Sequence, residues 1–377
     1  MDNADMIDIE AAVLHEADGA FMIERLSLER PRTGEVLVRI VATGMCHTDA
    51  AVRSRDLPTP LPIVLGHEGA GVVEAIGPGV TKVAPGDHVV LTVNSCGRCG
   101  PCLSGHPSVC DLVGPLNFAG CRIDGSHALH GRPGLNDQFF GQSSFATCAL
   151  AQERNVVKVT KDVPLELLGP LGCGIQTGAG SVLNALKVGA GNSFVVFGSG
   201  AVGLSAVMAA FVAGATTIIA VDIVPSRLDL ARELGATHVI NGREQDALAE
   251  IRAITGIGIG IDYALDTTGR VEIIRTGVDA LRPGGTCGIL AASAAGTELT
   301  LDVVSFMSSS KALRGIVEGD AVPDVFIPRL IELYRQGRFP FDKLIRFYDL
   351  ADINQALEDS ERGTTVKPVI RMTRAQA

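Results

Sequence analysis

The sequence predicts an α/β protein with a β-rich part followed by a doubly wound parallel sheet. The chain has 377 residues, which exceeds one ordinary domain and suits two. Its first part carries short runs of strand-forming residues bounded by Gly, Pro and Asp. After about residue 177, apolar strand-like runs alternate with helical runs. That alternation is typical of a parallel sheet covered by helices.

The β-rich part is predicted from three runs. "EVLVRIVAT" at residues 35–43 alternates like a half-buried strand, and "GAGVVEAIG" and "GDHVVLTV" are short strands between turn residues. Residues 111–145 are rich in Gly, Asn and Asp, so we expect loops there.

The parallel sheet is predicted from an ordered series. The strands are "SFVVFG", "TTIIAVD", "HVIN", "IDYALDTT" and "GTCGILAA". Between them lie the helix "AVGLSAVMAAFVAG", which ends at Gly214, the helix "SRLDLARELG", a polar helix near 244–255 and the helix "VEIIRTGVDALR". The tail adds a helix, "VFIPRLIELYRQG", and a closing strand, "KPVIRM".

Charge and composition exclude several functions. The net charge of -10 argues against nucleic acid or an anionic membrane as a partner. The acidic start "MDNADMIDIE" lacks the features of a secretory signal, so we expect a cytoplasmic protein. Residues 188–221 carry no charge and are long enough to span a bilayer. Four glycines divide them into strand-sized and helix-sized pieces, which favours a buried strand–helix–strand and no membrane span.

A glycine-rich turn indicates a dinucleotide site. Gly198, Gly200 and Gly203 form G-x-G-x-x-G between a predicted strand and a predicted helix, and Val202 lies in the same turn. The helix N-terminus can face a pyrophosphate. Asp222 follows at the end of the next strand, where a carboxylate accepts ribose hydroxyls and repels a 2′-phosphate, which favours NAD over NADP. The alternative is an ordinary tight turn between strand and helix.

Four cysteines lie within one short polar loop, "SCGRCGPCLSGHPSVC". The spacing C-x2-C-x2-C-x7-C suits a tetrahedral ion, and four sulfurs leave no open position, so a zinc there would be structural. An iron–sulfur cluster is an alternative, and so are free core cysteines. The four residues are Cys96, Cys99, Cys102 and Cys110.

A second set of ligand-type residues is scattered along the chain. Cys46, His67 and Cys173 would make a three-ligand zinc site with an open fourth position, the catalytic type. Asp49 is placed to accept a hydrogen bond from His67. Spacing does not show that these residues converge. Cys46 beside a histidine also fits a nucleophile with its base, and Cys173 fits a core cysteine.

Several motifs together resemble one family. "GHEGAGVVEAIGPGV" fits the G-H-E-x2-G-x5-G-x2-V pattern of zinc-containing medium-chain alcohol dehydrogenases. "GMCHTD", the four-cysteine loop, "GPLGCGIQTGAG" and "GSGAVG" follow in the family's order over nearly the whole chain. "FFGQSSFATCAL" and "ELLGPLGCGIQTGAG" resemble the bacterial aryl-alcohol dehydrogenases. The resemblance implies a GroES-like catalytic domain at 1–176 and 318–377 and a Rossmann domain at 177–317.

The resemblance also implies the cofactors, NAD and two zinc ions per chain. Catalytic zinc would lie on Cys46, His67 and Cys173, with Glu68 nearby, and structural zinc on the four-cysteine loop. Thr48 would take the alcohol proton, but Ala51 stands where many relatives carry a relay histidine, so the exit route of the proton is open. A homodimer or homotetramer is expected. Three basic residues would lie near the cofactor: Arg227 at the adenosine ribose, and His47 and Lys367 at the pyrophosphate.

The implied reaction is the reversible oxidation of benzyl-type alcohols to aldehydes with NAD. Thr92, Phe139 and Phe140 lie where the family lines its substrate cleft, and aromatic walls suit aryl alcohols. Core packing is the alternative for the two phenylalanines. Other interpretations are the same chemistry on allylic terpene alcohols such as geraniol or perillyl alcohol, glutathione-dependent formaldehyde oxidation, and a non-catalytic NAD-binding scaffold.

Overall fold

The computed structural model describes residues 6–256, 259–294 and 296–372. They form two compact units. The first unit extends to Gly174 and includes Val322–Glu332 and the chain from Asp342 onward. The second unit comprises Ile175–Ala321 and Leu333–Phe341. The predicted boundaries followed residues 176 and 317, and the sequence did not indicate that Leu333–Phe341 belongs to the second unit.

The strands and helices follow the chain in this order. The strands are β1 Met6–Leu14, β2 Phe21–Glu29, β3 Glu35–Gly44, β4 Ile63–Val64, β5 Glu68–Ile76, β6 His88–Leu91, β7 Leu129–His130, β8 Cys148–Gln152, β9 Val156–Lys158, β10 Ser193–Phe197, β11 Thr217–Asp222, β12 His238–Asn241, β13 Ile261–Asp266, β14 Leu281–Ile289, β15 Ala312–Gly315, β16 Ile345–Asp349 and β17 Lys367–Arg371. The α-helices are α1 His47–Arg53, α2 Gly100–Leu103, α3 Val113–Asn117, α4 Gly174–Gly180, α5 Ala201–Ala213, α6 Pro225–Glu233, α7 Ala247–Thr255, α8 Val271–Ala280, α9 Val303–Ser308, α10 Pro323–Arg335 and α11 Ile353–Glu361.

The first unit contains two sheets. One has the order β4-β1-β2-β7, and the other has the order β16-β17-β3-β5-β6-β9, with β8 also paired to β3. Strand β3 is therefore central, and it is buried along most of its length rather than on one face as predicted. Gly44 at its end pairs with Glu68 at the start of β5 and with Val369 of β17. This register brings the residues that follow β3 next to those that begin β5 and β17.

The second unit contains the predicted doubly wound sheet. Its six strands have the order β12-β11-β10-β13-β14-β15, and every pair is parallel. Strand order reverses between β10 and β13, so the turn after β10 lies at the topological switch point, where such sheets bind ligands. The sequence did not predict β15 or α9. Strand β14 also begins earlier than predicted, at Leu281, with an irregular register against β13.

The long uncharged stretch is a buried strand, helix and strand, as predicted. Helix α5 ends at Gly214, which has a left-handed φ of 83°. Eight of its residues are buried, because it packs within the second unit. Among the described residues, no helix is both long and apolar enough to cross a bilayer.

The predicted loop at 111–145 contains the short helix α3, strand β7 and a buried ion-pair network. Arg122 donates from Nε to Glu35 Oε1 at 2.6 Å and from Nη1 to Glu29 Oε2 at 2.9 Å. All three side chains are almost fully buried. Because Glu29 ends β2 and Glu35 begins β3, this guanidinium ties the loop to both sheets of the first unit.

We expect Arg122→Met to lower the free energy of unfolding by about 3 to 5 kcal/mol, because it leaves the buried Glu35 carboxylate without its cation and leaves Arg32, at 2.8 Å, as the arginine that pairs with Glu29. Urea unfolding measures the change. The control is Arg132→Met, because Arg132 pairs with Glu24 at 2.9 Å but is 45% exposed in its side chain. The control should cost less than about 1 kcal/mol. Equal losses in the two variants would contradict the assignment.

Candidate functional site

The first unit gathers four of the predicted ligand-type residues into one cluster. The ligand atoms of Cys46, His67, Glu68 and Cys173 all lie within 4.8 Å of one another. Cys46 follows β3, and His67 and Glu68 lie at the start of β5, so strand pairing brings three of them together. Cys173 arrives on a glycine-containing turn. A Cβ on Gly172 would lie 2.1 Å from the Leu91 carbonyl oxygen, so only glycine permits this approach.

The Asp49 carboxylate orients this cluster. Oδ1 lies 3.1 Å from His67 Nδ1 and accepts the Gly66 N–H at 3.1 Å, and Oδ2 accepts the Cys46 N–H at 2.9 Å. When His67 carries its proton on Nδ1 and donates it to Asp49, the other ring nitrogen, Nε2, is left as an acceptor. That Nε2 atom is buried and has no hydrogen-bond partner. An unpartnered imidazole nitrogen beside two thiols fits a zinc ligand set.

Charge within the cluster also favours a cation. The hydrogen bond from Cys173, with the charges of Lys367 and His67, lowers the pKa of the Cys46 thiol well below its ordinary value despite burial. Burial lowers the pKa of His67, but Asp49 outweighs burial and raises it well above its ordinary value. The thiolate is the form that binds metal, and a metal ion replaces the proton that the imidazole would otherwise gain. The nucleophile-and-base interpretation of Cys46 has no support here, because Cys46 Sγ lies among ligand atoms.

The structure places Lys367 differently from the prediction. Its Nζ donates to Glu68 Oε1 at 2.9 Å, to Glu68 Oε2 at 3.0 Å and to the Met45 carbonyl oxygen at 3.1 Å. Lys367 is 2% exposed and Glu68 is fully buried. An ammonium has three donors, and all three are used, so Lys367 holds the Glu68 carboxylate rather than a pyrophosphate. This placement follows from the pairing of β17 with β3, and the sequence carries no signal for that pairing.

The four-cysteine loop closes on itself. The ligand atoms of Cys96, Cys99, Cys102 and Cys110 lie within 4.8 Å of one another. Backbone hydrogen bonds from Arg98 and Cys99 lower the pKa of the Cys96 thiol to about 6, whereas burial raises the pKa of Cys102 to about 12. Four thiolates this close need a bound cation to offset their charge, which fits a closed tetrahedral site.

An aromatic cluster covers one side of His67. The Phe140 ring is stacked on the imidazole, with centroids 4.5 Å apart, and the Phe139 ring meets it edge-on at 5.4 Å. Phe139 is fully buried, so core packing accounts for it, and Phe140 is 5% exposed. Phe118, which sequence reasoning missed, packs on both rings and is half-buried. Thr92 is buried and donates from Oγ1 to the Gly172 carbonyl oxygen at 2.6 Å.

The turn after β10 has the geometry of a dinucleotide site. Gly198 has a φ of 92°, and a Cβ on Gly203 would lie 1.8 Å from the Gly198 carbonyl oxygen. A Cβ on Gly200 would meet nothing within 4 Å. The first two constraints are structural, whereas the open space at Gly200 is what a pyrophosphate requires. Val202 lies half-buried in the first turn of α5.

The other predicted cofactor residues lie as follows. Asp222 Oδ1 accepts the N–H groups of Ile223 at 2.7 Å and Val224 at 2.9 Å, and Oδ2 accepts the Ser199 N–H. The carboxylate therefore holds the glycine turn against the end of β11. Arg227 is half-buried in α6, and its Nε has no hydrogen-bond partner. His47 is exposed at the start of α1, and Thr48 Oγ1 lies 3.7 Å from Cys46 Sγ.

Comparison with known proteins identifies the family. Residues 32–161 match the alcohol dehydrogenase GroES-like domain, and residues 201–335 match the family described as zinc-binding dehydrogenase. A geraniol dehydrogenase of Castellaniella defragrans is 47% identical over 373 residues, 98% of this chain and 99% of its own. The chain belongs to the zinc-binding medium-chain alcohol dehydrogenase family.

Solved structures agree with this membership. The benzyl alcohol dehydrogenase of Acinetobacter calcoaceticus has a TM-score of 0.94 and 54% identity, covering 97% of this chain and 100% of its own. An alcohol dehydrogenase zinc-binding domain protein of Burkholderia ambifaria has a TM-score of 0.96 and 56% identity, covering 98% and 100%. The predicted GroES-like and Rossmann-like architecture is confirmed, and the chain is a zinc-dependent alcohol dehydrogenase.

We expect Gly200→Ala and Gly203→Ala to differ in kind. Alanine at 203 forces backbone apart and should cost about 1 to 3 kcal/mol of stability. Alanine at 200 should leave stability within about 0.5 kcal/mol and weaken NAD binding by about tenfold or more, because its methyl group occupies the space left for phosphate. Urea unfolding and calorimetric titration with NAD separate the two effects. Unchanged NAD affinity in Gly200→Ala would refute the site.

We expect the two cysteine clusters to respond differently to loss of one sulfur. Cys46→Ser should lose activity and about one zinc per chain, whereas Cys99→Ser should mainly lose stability, because a closed site contributes folding free energy. Metal analysis, activity and thermal unfolding measure the three quantities. Unchanged zinc content in both variants would rule out both ligand assignments.

Proposed function

We propose that this enzyme reversibly oxidises primary aromatic alcohols of the benzyl type to aldehydes, with NAD as hydride acceptor. The observation that carries the proposal is the Phe140 ring stacked on His67, which puts an aromatic side chain against a candidate zinc ligand. The 54% identity to a benzyl alcohol dehydrogenase supports the same substrate class. An aromatic wall beside the reacting centre favours flat, apolar substrates.

Zinc would be held by Cys46, His67 and Cys173, and when bound it supplies Lewis-acid polarisation of the alcohol oxygen. The second zinc would be held by the four-cysteine loop. The chain's own residues provide the rest of the site. Asp49 holds the proton on His67 Nδ1 so that Nε2 stays a ligand. Lys367 neutralises Glu68, which keeps that buried carboxylate from competing with Cys46 and Cys173 as a zinc ligand.

Proton removal is assigned to Thr48. Its hydroxyl lies 3.7 Å from Cys46 Sγ, on the first turn of α1. Along the sequence, Thr48 is the hydroxyl residue nearest to the predicted ligand Cys46. A threonine hydroxyl both accepts and donates, so it can pass a proton onward. Ala51, one turn later on α1, has no titratable side chain and cannot continue the relay. We infer that the proton leaves through water.

The preference for NAD rests on Asp222. Its carboxylate, 8% exposed, is fixed by three backbone N–H groups at the end of β11. A carboxylate at this position repels a ribose 2′-phosphate and accepts a 2′-hydroxyl. Arg227 lies five residues after Asp222, in the first turn of α6. It is the one basic residue between Asp222 and Leu228, and it would contact the adenosine ribose.

A second candidate is the same oxidation of allylic terpene alcohols. It is favoured by the 47% identity to a geraniol dehydrogenase across nearly the whole chain. An allylic alcohol carries a flat double bond next to the reacting carbon, and it would contact the same aromatic rings. Glutathione-dependent formaldehyde oxidation stays a weaker alternative, and a homodimer or homotetramer in the cytoplasm stays a prediction.

We expect a substrate panel to show the highest kcat/KM for benzyl alcohol, followed by geraniol, with ethanol lower by about a hundredfold or more, since it cannot fill an aromatic-lined site. NAD should exceed NADP by a similar factor. Initial rates of NADH and NADPH formation measure both ratios. A higher kcat/KM for geraniol than for benzyl alcohol would replace the first candidate with the second. A requirement for glutathione would replace both.

A further inference from the structure

We propose that Asn155 is a positioning residue for substrate selection: its side-chain amide holds Phe140 in a left-handed conformation that keeps the Phe140 ring stacked on His67. The preference of the enzyme for aromatic alcohols then depends on a residue that touches neither substrate nor zinc ligand. This inference rests on the proposed function for its substrate effect, and on geometry alone for the placement of the ring.

The segment that carries Phe140 has an unusual backbone. Four of its residues have positive φ, namely Gln138 at 59°, Phe140 at 53°, Gly141 at 62° and Ser143 at 53°. A bulky side chain such as phenylalanine rarely adopts this conformation. Such residues persist only where their surroundings over-determine them, and they cluster at functional sites. The conformation of Phe140 therefore needs contacts that hold it.

Asn155 provides those contacts. Its Nδ2 lies 3.1 Å from the Phe140 carbonyl oxygen and 3.2 Å from those of Gly141 and Thr92. Asn155 is fully buried, and its Oδ1 has no hydrogen-bond partner. Three carbonyl oxygens around one nitrogen set the orientation of the amide, and the nitrogen is the end that is used.

A second buried amide anchors the other end of the same segment. Gln142 donates from Nε2 to the His67 carbonyl oxygen at 3.0 Å and accepts the Gly69 N–H at 3.1 Å. Gln142 thus fixes the segment to His67 and to the start of β5, while Asn155 fixes the turn at Phe140. The ring and the imidazole are held from both sides, with centroids 4.5 Å apart and planes 27° apart.

The two ends differ in what they control. Gln142 contacts the backbone of His67 and Gly69 directly, so changing it would disturb the candidate zinc ligands themselves. Asn155 instead holds the backbone carbonyl groups of Phe140, Gly141 and Thr92. A variant at Asn155 therefore acts first on the turn that carries Phe140, and the Thr92 carbonyl oxygen that it also releases still accepts from Gln142 Nε2 at 3.4 Å. Displacement of a positioning group by about 1 Å can cost orders of magnitude in rate, so a measurable loss of selectivity is expected.

The test is a double-mutant cycle on the zinc-loaded enzyme with Asn155→Asp and Phe140→Leu. The selectivity measured is the ratio of kcat/KM for benzyl alcohol to that for cyclohexylmethanol, which has the same carbon skeleton without a flat ring. Each single variant should lower this ratio by about tenfold. The double variant should match Phe140→Leu alone, because Asn155 acts through that ring.

Three further measurements complete the design. Asn354→Asp is the matched control, because it also removes an amide donor from a backbone carbonyl, that of Phe21, and should leave the ratio unchanged. Asn155→Ser removes the amide without burying a charge and should lower the ratio if the aspartate variant does not fold. The rate at which a chelator removes zinc from the Cys46, His67 and Cys173 site reports on His67 independently of substrate. This rate should be about tenfold higher in each single variant, with no further increase in the double variant.

The outcomes separate the two proposals. A ratio that falls additively in the double variant, or does not fall in Asn155→Asp and Asn155→Ser, would overturn the positioning role. Failure of the wild-type enzyme to oxidise benzyl alcohol would refute the proposed function instead. In that case the zinc-release cycle alone decides the placement of Phe140 by Asn155, and unchanged release rates would overturn it.

Discussion

The catalytic part of this enzyme depends on one buried carboxylate. Asp49 accepts hydrogen bonds from Gly66, His67 and Cys46, and so joins the loop after β3 to the loop before β5. Without those bonds, Cys46 and His67 would lose the side chain that contacts both of them through hydrogen bonds. The same carboxylate selects the histidine tautomer and caps helix α1, on which Thr48 lies. A single side chain therefore supports the geometry and protonation of the candidate ligands and the position of Thr48.

Around this anchor, buried charges are arranged in opposed pairs. Lys367 uses all of its donors on Glu68 and Met45, and Arg122 bridges Glu29 and Glu35 elsewhere in the same unit. Such pairs contribute little net stability, because desolvation offsets their attraction. Their effect is specificity of arrangement, since a shift of either partner leaves a buried charge uncompensated. Near a thiol and histidine cluster, that constraint keeps the Glu68 carboxylate in one place.

The aromatic side of the site is built with strain rather than charge. Phe140 takes a left-handed conformation, and Asn155 and Gln142 hold the segment through carbonyl and amide groups. The candidate sites lie in different units. Ligand residues, aromatic rings and their supports belong to the first unit, whereas the glycine turn and Asp222 belong to the second.

The sequence alone determined the features that depend on local pattern. Alternating strands and helices indicated the parallel sheet, the glycine spacing indicated the turn after β10, and four cysteines in one loop indicated a closed metal site. The sheet and the turn are confirmed, because turns and helix ends are set by neighbours along the chain, whereas the metal site stays a prediction. Tertiary structure decided what lies between distant segments. Strand register brought Cys46 and His67 together and placed Lys367 on Glu68 rather than toward a phosphate, and a glycine-containing turn packed against Leu91 added Cys173. Tertiary structure also brought the Asn155 amide against the Phe140 carbonyl oxygen, a contact between segments 15 residues apart that no local pattern indicates.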